Sequence, residues 1–377
     1  MSFRRFAAVA RKEFLHVLRD ARSLALGLLI PAVLISLFGW ALTLDVDEVP
    51  TVVFDSSETP QSRDFVSYFD GTPYFNIKKY VSSYRELECE IDHARALVAV
   101  VIPHDFASKI ASGRNAEVQI IADGSDANTA TIATGYANAV AAAYSQKIVS
   151  GYALRATGRT ISAPLDFRPR AWYNPEMKSQ NYIIPGLIAV IMMIIAAILT
   201  SLTVAREWER GTMEQLISTP VRGPELILGK LVPYFTIGMM NLVLAYLLGR
   251  YIFHVPMRGS VALLFALSAV FLAGALSMGM IISIVAKNQM LASQLAMITT
   301  FLPSYLLSGL MFSIFQMPAP LQYLSHIVPA MYYIRILRGI YLKGLGTEAL
   351  LSEAALLAVF GAIVLFVANR KFRRKLD

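Results

Sequence analysis

The 377-residue chain has one cysteine, Cys89, which excludes an intrachain disulfide and leaves no cysteine cluster for a metal. Charge is scarce too: Asp, Glu, Lys and Arg make up 16% of residues against 56% hydrophobic ones. With a positive mean hydropathy, that balance is too apolar for an ordinary soluble protein. Catalytic signatures are missing. His16, His93, His104, His254 and His326 are scattered, and neither H-E-x-x-H nor G-x-S-x-G occurs. Gly223-Pro224-Glu225-Leu226-Ile227-Leu228-Gly229-Lys230 imitates a phosphate loop, but its glycines are one residue too far apart and Leu231 replaces the Mg²⁺-binding Ser or Thr. Asp123-Gly124-Ser125-Asp126 lacks the alternating carboxylates and distal Glu of a calcium loop and reads as an Asx turn. No catalytic residue, metal site or cofactor is therefore expected in this chain.

What is abundant is apolar sequence. Six runs, residues 24–44, 182–205, 231–253, 261–285, 290–312 and 350–367, are long enough to cross a hydrocarbon layer about 30 Å thick. Pro31 should kink the first. Between the first two runs, residues 45–178 regain polar residues and turn signals. Strands are expected at 51–54, 76–80, 97–102 and 118–122, with helices at 60–69, 84–94, 104–112 and 128–157. The fold class read from this pattern is an α-helical polytopic membrane protein with six transmembrane helices and an inserted extracytoplasmic α/β domain.

The net charge of +8 does not point to nucleic acid, because the basic residues flank the apolar runs as topogenic signals do. Residues 2–22 are amphipathic, with Phe3, Phe6, Ala10, Phe14, Val17 and Ala21 at helical spacing against Arg4, Arg5, Arg11, Lys12, Arg19 and Arg22. Residues 1–23 are thus expected to form a helix lying on the cytoplasmic face of the bilayer. The tail, 368–377, adds Arg370, Lys371, Arg373, Arg374 and Lys375, and the same side receives Arg206, Arg210, Arg222, Lys230 and Lys287. Opposite stand Arg250, Arg258, Arg335, Arg338 and Lys343. The excess places both termini in the cytoplasm and residues 45–178 outside. The charged start offers no cleavable signal sequence. Residues 316–345, broken by Pro318, Pro320 and Pro329, are expected to form external interfacial or re-entrant helices.

The middles of the apolar runs carry no Asp, Glu, Lys or Arg, the residues that mark proton and cation pathways. Asn241 and Gln294 are the chief polar residues inside. They suit interhelical hydrogen bonds better than ligand contacts, and form only a weak candidate for a substrate pathway. Energy for transport would have to enter from elsewhere, and residues 206–220 are the candidate. Arg206-Glu207-Trp208-Glu209-Arg210 can extend the preceding helix, Gly211 can end it in a left-handed conformation, and Thr212 with Gln215 matches a capping box for a short helix from Met213. Thr219-Pro220 stops that helix. Glu214 falls in its first turn, with Met213, Leu216 and Ile217 free for a partner.

The order of these parts resembles the membrane-spanning subunit of ABC-2 type exporters, in the branch with a large external domain between spans one and two. The matching residues are Trp172-Tyr173-Asn174-Pro175, Pro185-Gly186-Leu187-Ile188, the segment from Arg206 to Glu214 with Leu216 and Thr219-Pro220, and Pro329 with Tyr332 and Gly339. The resemblance implies a half-transporter in a bacterial inner membrane that pairs with a second copy or close paralogue. It would bind two separate ABC ATPase subunits that carry ATP and Mg²⁺. A hydrophobic or amphipathic substrate, drug-like or lipid-like, would move outward, with a periplasmic adaptor and outer-membrane channel as further partners. Arg206, Glu207, Glu209, Arg210, Gly211, Thr212, Met213, Glu214 and Leu216 would be the coupling residues, Glu207, Glu209 and Glu214 pairing with basic groups on the ATPase and Met213 and Leu216 filling its groove. The alternative is a membrane sensor whose α/β domain binds a ligand.

Overall fold

A computed structural model describes residues 2–20, 24–42, 46–157, 170 and 172–374, leaving out the side chains of Leu26, Ala156, Thr157, Ile217, Arg373 and Arg374. Arg22, Ala171, Lys375 and the last residues of the first apolar run lie outside the described residues. The chain divides into two compact units: Leu44–Pro169, and Met1–Thr43 with Arg170–Asp377.

The larger unit begins with α1 (Phe3–Arg19), whose buried residues Val9, Glu13 and Val17 recur every four positions and so share one face. Phe3, Phe14, Leu15 and Leu18 are exposed. A π-helical turn (Ala25–Leu29) then leads into α2 (Ile30–Ala41). Pro31, which has no N–H for the helical ladder, follows directly on that turn, so the expected kink takes the form of a π-turn.

Residues Leu44–Pro169 contain β1 (Val49–Asp55), α3 (Pro60–Asp70), β2 (Phe75–Tyr80), α4 (Tyr84–Asp92), β3 (Val98–Ile102), α5 (Phe106–Ala111), β4 (Gln119–Ala122) and α6 (Ala127–Thr157). The sheet order is β2-β1-β3-β4, with β1 parallel to both neighbours and β4 antiparallel to β3. Alternation along β1 and β3 sends Val53 and Val100 to one face, against Phe65, Phe69 and Tyr144, and Val52 and Ala99 to the other, against Leu87. Covered on both faces, β3 is a continuous apolar run. Thr59 and Ser62 form a capping box at the start of α3, with Pro60 in its first turn.

The larger unit resumes with α7 (Ser179–Glu209), α8 (Thr212–Ile217) and α9 (Gly223–Leu247), the last followed by a π-turn. Next come α10 (Val261–Ala286), α11 (Gln289–Ala296), another π-turn, and α12 (Leu302–Leu306). The remaining helices are α13 (Ala319–Ser325), α14 (Pro329–Arg338) and α15 (Leu351–Arg374). Among the described residues, four helices are long and apolar enough to cross a membrane, Ser179–Glu209, Gly223–Ile252, Val261–Ala286 and Glu348–Phe372, and Gly27–Ala41 is a shorter apolar helix. The protein is a helical membrane protein.

Apolar on all sides, α7 is the buried centre of this unit. Small residues let α10 come close: a Cβ on Gly279 would fall 2.5 Å from the Ala197 carbonyl oxygen, and the Ser283 hydroxyl oxygen accepts from the N–H groups of Val204 and Ala205 at 2.9 Å.

Two expectations change. Lys230, counted above with surface loop cations, lies inside α9 and is 1% exposed, because α9 begins at Gly223 and carries it between two carboxylates. Helix in the fifth apolar run stops at Leu306 and does not reach 312; Gly309 turns into the left-handed region at φ 83° and gives its carbonyl to Tyr182 and Arg338. The second proline-led helix, α14, is packed into the bundle: Tyr333 is fully buried, stacked on Phe271 at 4.0 Å and donating to Ser268 at 2.6 Å.

Candidate functional site: a charged segment clamped by the first helix

Between α7 and α8 the chain reverses at Gly211, whose φ of 72° is open to glycine and strained for other residues. The expected capping box is absent. Gly211 itself is the N-cap, α8 starts one residue early at Thr212, and the Thr212 hydroxyl donates backward to the Glu207 carbonyl at 3.3 Å. Because the left-handed glycine sets the entry angle, the Thr212 side chain is released to close the end of α7.

Helix α1 is tied to this segment along its length. At its start the Ser2 N–H donates to Glu225 Oε1 at 2.5 Å and Arg5 donates to the Pro220 carbonyl at 2.5 Å. At its middle, Lys12 Nζ lies 2.9 Å from Glu207 Oε1, while buried Lys230 reaches Glu13 Oε1 at 2.9 Å and Glu207 Oε2 at 2.8 Å. At its end, Asp20 pairs with Arg206 at 3.2 Å and His16 approaches the same guanidinium at 3.2 Å. Two lysines and two carboxylates alternate in the middle group, so each charge has a partner of opposite sign. They border a cavity of about 180 Å³ that also touches Arg206, Arg210 and Thr212. Burial alone would raise the Glu13 pKa, but Lys230 and then Lys12 outweigh it and hold the carboxyl below its ordinary range. Burial likewise works against the Lys12 ammonium, yet Glu207 and Glu13 keep its pKa above normal.

These contacts sort the candidate coupling residues. Glu207 is 8% exposed and paired within the chain, Met213 is 1% exposed, and Leu216 is half-buried against the main apolar cluster. Within this chain Glu207 and Met213 are thus turned inward, while Leu216 keeps part of its surface exposed. Arg206 is committed to Asp20 and Gln289, and Glu209 accepts from Gln289 N and Nε2 at 3.1 and 3.0 Å. Arg210, Gly211, Thr212, Glu214 and Gln215 are exposed.

Asn241 and Gln294 are not brought together. Asn241 is buried, and its amide nitrogen donates to the Gly27 carbonyl, the oxygen whose helical donor four residues on would be the missing N–H of Pro31. It is an interhelical bond. Gln294 is exposed on α11. Sequence reasoning missed Glu13 and the internal role of Lys230. The available signal was Glu13's place midway between Val9 and Val17 on the buried face of α1.

Among the described residues, no group of three or more His, Cys, Asp or Glu could hold a metal ion. The protein is defined instead by its bundle of apolar helices and the charged reversal between two of them. Residues 21–369 match the model of the ABC-2 family transporter protein, and the chain belongs to that family. It is 36% identical over 379 aligned positions to the "Probable multidrug ABC transporter permease YbhS" of Escherichia coli K12, covering 100% of this chain and 99% of that one. It is 29% identical to the "Probable multidrug ABC transporter permease YbhR" of the same organism over 99% of both chains. The "Inner membrane transport permease YhhJ" of Escherichia coli K12 is 24% identical over 86% of this chain and 85% of its own. The chain is a transporter permease and a multi-pass membrane protein.

Proposed function

We propose that this chain is the transmembrane subunit of an ATP-driven exporter in a bacterial inner membrane. Two separate ABC ATPase subunits, carrying ATP and Mg²⁺, drive it, and it works beside a second copy or close paralogue. Six spans are the reading, with α2 as the first and α11–α12 with their π-turn as the fifth. Both termini face the cytoplasm and residues 45–178 face outward, an orientation supported by the distribution of Lys and Arg. The substrate is hydrophobic or amphipathic, drug-like or lipid-like. A periplasmic adaptor and an outer-membrane channel are the further partners.

The observation that carries this reading is the clamp of α1 on residues 206–225 at its start, middle and end. A push on α8 would reach α1, α7 and α9 together, since Lys230 and Glu207 tie these helices and a buried ion pair resists separation. The exposed residues Arg210, Thr212, Glu214 and Gln215 form the surface offered to the ATPase, with Glu209 at its edge. Glu207 acts behind them, inside the chain. Isolation of the tagged chain from its native membranes tests the proposal: a nucleotide-binding ATPase carrying a Walker sequence is expected with it, and repeated isolation without one rejects it.

The sensor reading is favoured by one feature of the α/β unit, a cavity of about 490 Å³ floored by Phe65, Phe106 and Tyr144 with Arg114 at its edge. Isolation with a histidine kinase or response regulator in place of an ATPase would select it.

A further inference from the structure

At the opposite end of α7 from Glu207, 25 residues and roughly 37 Å away along the helix, a second cation is held with no counter-ion among the described residues. Arg338, the last residue of α14, stacks on the Tyr182 ring with its guanidinium carbon 3.4 Å from the ring centroid. Its hydrogen bonds go to neutral backbone oxygens: Nε donates to the Tyr182 carbonyl at 3.3 Å and Nη1 to the Gly309 carbonyl at 3.1 Å. Both are longer than the roughly 2.7–2.9 Å of a guanidinium bound to an anion. Nη2 is buried and has no hydrogen-bond partner among the described residues. It points past Gly186, where a Cβ would come within 3.3 Å of it.

The Gly309 carbonyl is the hub of this arrangement. It accepts from the Tyr182 hydroxyl at 3.1 Å as well as from Arg338, so both lone pairs are used. Gly309 presents its carbonyl this way only because its φ of 83° is open to glycine. The bonds hold the non-helical stretch after α12 against the first turn of α7. A planar cation with a fork of donors is suited to a phosphate or carboxylate, and here it receives carbonyl dipoles.

We propose that Arg338 is an anion-recognition residue, on which the phosphate or carboxylate group of an incoming molecule replaces the Gly309 carbonyl and frees residues 307–312 from α7. A ligand shifts a conformational equilibrium only by its differential affinity for the two states. The anion meets this requirement, because the fork it binds is occupied by Gly309 in the closed arrangement and vacant in the open one. The reading of the chain as a permease supplies the purpose, release of a passage at this end of the bundle, but the chemistry at Arg338 stands without it.

The test is hydrogen–deuterium exchange of the full chain in an uncharged maltoside detergent, with dodecyl phosphate, phosphatidylglycerol or inorganic phosphate added. Amides of residues 307–312 should exchange about tenfold faster with at least one of these, the factor that one charge-assisted hydrogen bond supports. Inorganic phosphate alone sufficing identifies a free anion. Phosphatidylglycerol sufficing identifies the bilayer as the source, and a response to dodecyl phosphate only identifies a single-chain amphiphile. Arg338→Gln should abolish the response. Arg338→Lys, which keeps the charge but loses the fork and the stacking, should weaken it. Tyr182→Phe removes one of the two donors on Gly309 and should bring the response to lower probe concentrations, which keeps the test open should Arg338→Gln not fold. No acceleration with any of the three probes, an equal response in Arg338→Gln, or unaltered sensitivity in Tyr182→Phe overturns the proposal. The readout involves neither ATP nor transport, so its failure leaves the permease reading standing.

Discussion

Lys230 Nζ stands 2.8 Å from Glu207 Oε2, and the Lys230 side chain is 1% exposed. Removing one member of such a buried group leaves the opposite charges uncompensated, which costs about 3–5 kcal/mol. Lys230→Met should therefore lower stability by that order, read as the midpoint of thermal unfolding in detergent. Adding Glu13→Gln and Glu207→Gln to Lys230→Met should recover much of the loss, because no buried carboxylate then lacks a cation.

Acid should loosen the clamp before neutral or mildly alkaline conditions do. The Glu13 pKa is depressed from its ordinary 4.5, so its contribution is fully present above that value and is lost as pH falls through the folded pKa. The Lys12 pKa is raised from 10.5, so its contribution is complete below that value and is lost only as pH rises through the higher folded pKa. Stability from this pair should be level between the two ordinary values and fall below the acid one. Glu13→Gln should remove part of the acid limb in a pH series of unfolding midpoints.

The bond from Asn241 to the Gly27 carbonyl compensates for Pro31. Asn241→Leu should cost about 0.6–1.7 kcal/mol, the range from the average to the largest interhelical bond measured in a membrane protein. In a Pro31→Ala background, where residue 31 regains an N–H for Gly27, the same change should cost less. A double-mutant cycle on unfolding free energies measures the difference; strict additivity would show that the two features are independent.

Gly279 lies where α10 crosses α7, against Thr200 and the Ala197 carbonyl. Gly279→Ala should force the helices apart and lower stability by about 1–3 kcal/mol. Gly124→Ala, with open space around it, is the matched control and should stay within about 0.5 kcal/mol.

Elements built from local pattern were legible in the sequence. The four strands lie on the short segments expected between turn signals, and Gly211 adopts the left-handed conformation that its place between two helices required. What could not be read was pairing across long separations. Glu13 and Lys230 are 217 residues apart, and nothing local distinguishes an internal lysine from a topogenic one. The inward turn of Glu207 and Met213 follows from the same cause: a charged helix extension reads as exposed until a second helix, α1, is known to lie along it. The early stop of α12 depends on Tyr182 and Arg338, which are remote in sequence from Gly309.

In the proposed exporter, residues 206–220, backed by α1, receive the ATPase. The direct measurement is partner retention by the purified complex when Glu214 and Gln215, both exposed and outside the ion cluster, are changed together to Lys. The permease should insert and unfold as before, since exposed substitutions shift stability by about 0.5 kcal/mol or less, while the bound ATPase and ATP-dependent export fall together. Full retention of the ATPase with undiminished export in the Glu214→Lys, Gln215→Lys variant would contradict the claim.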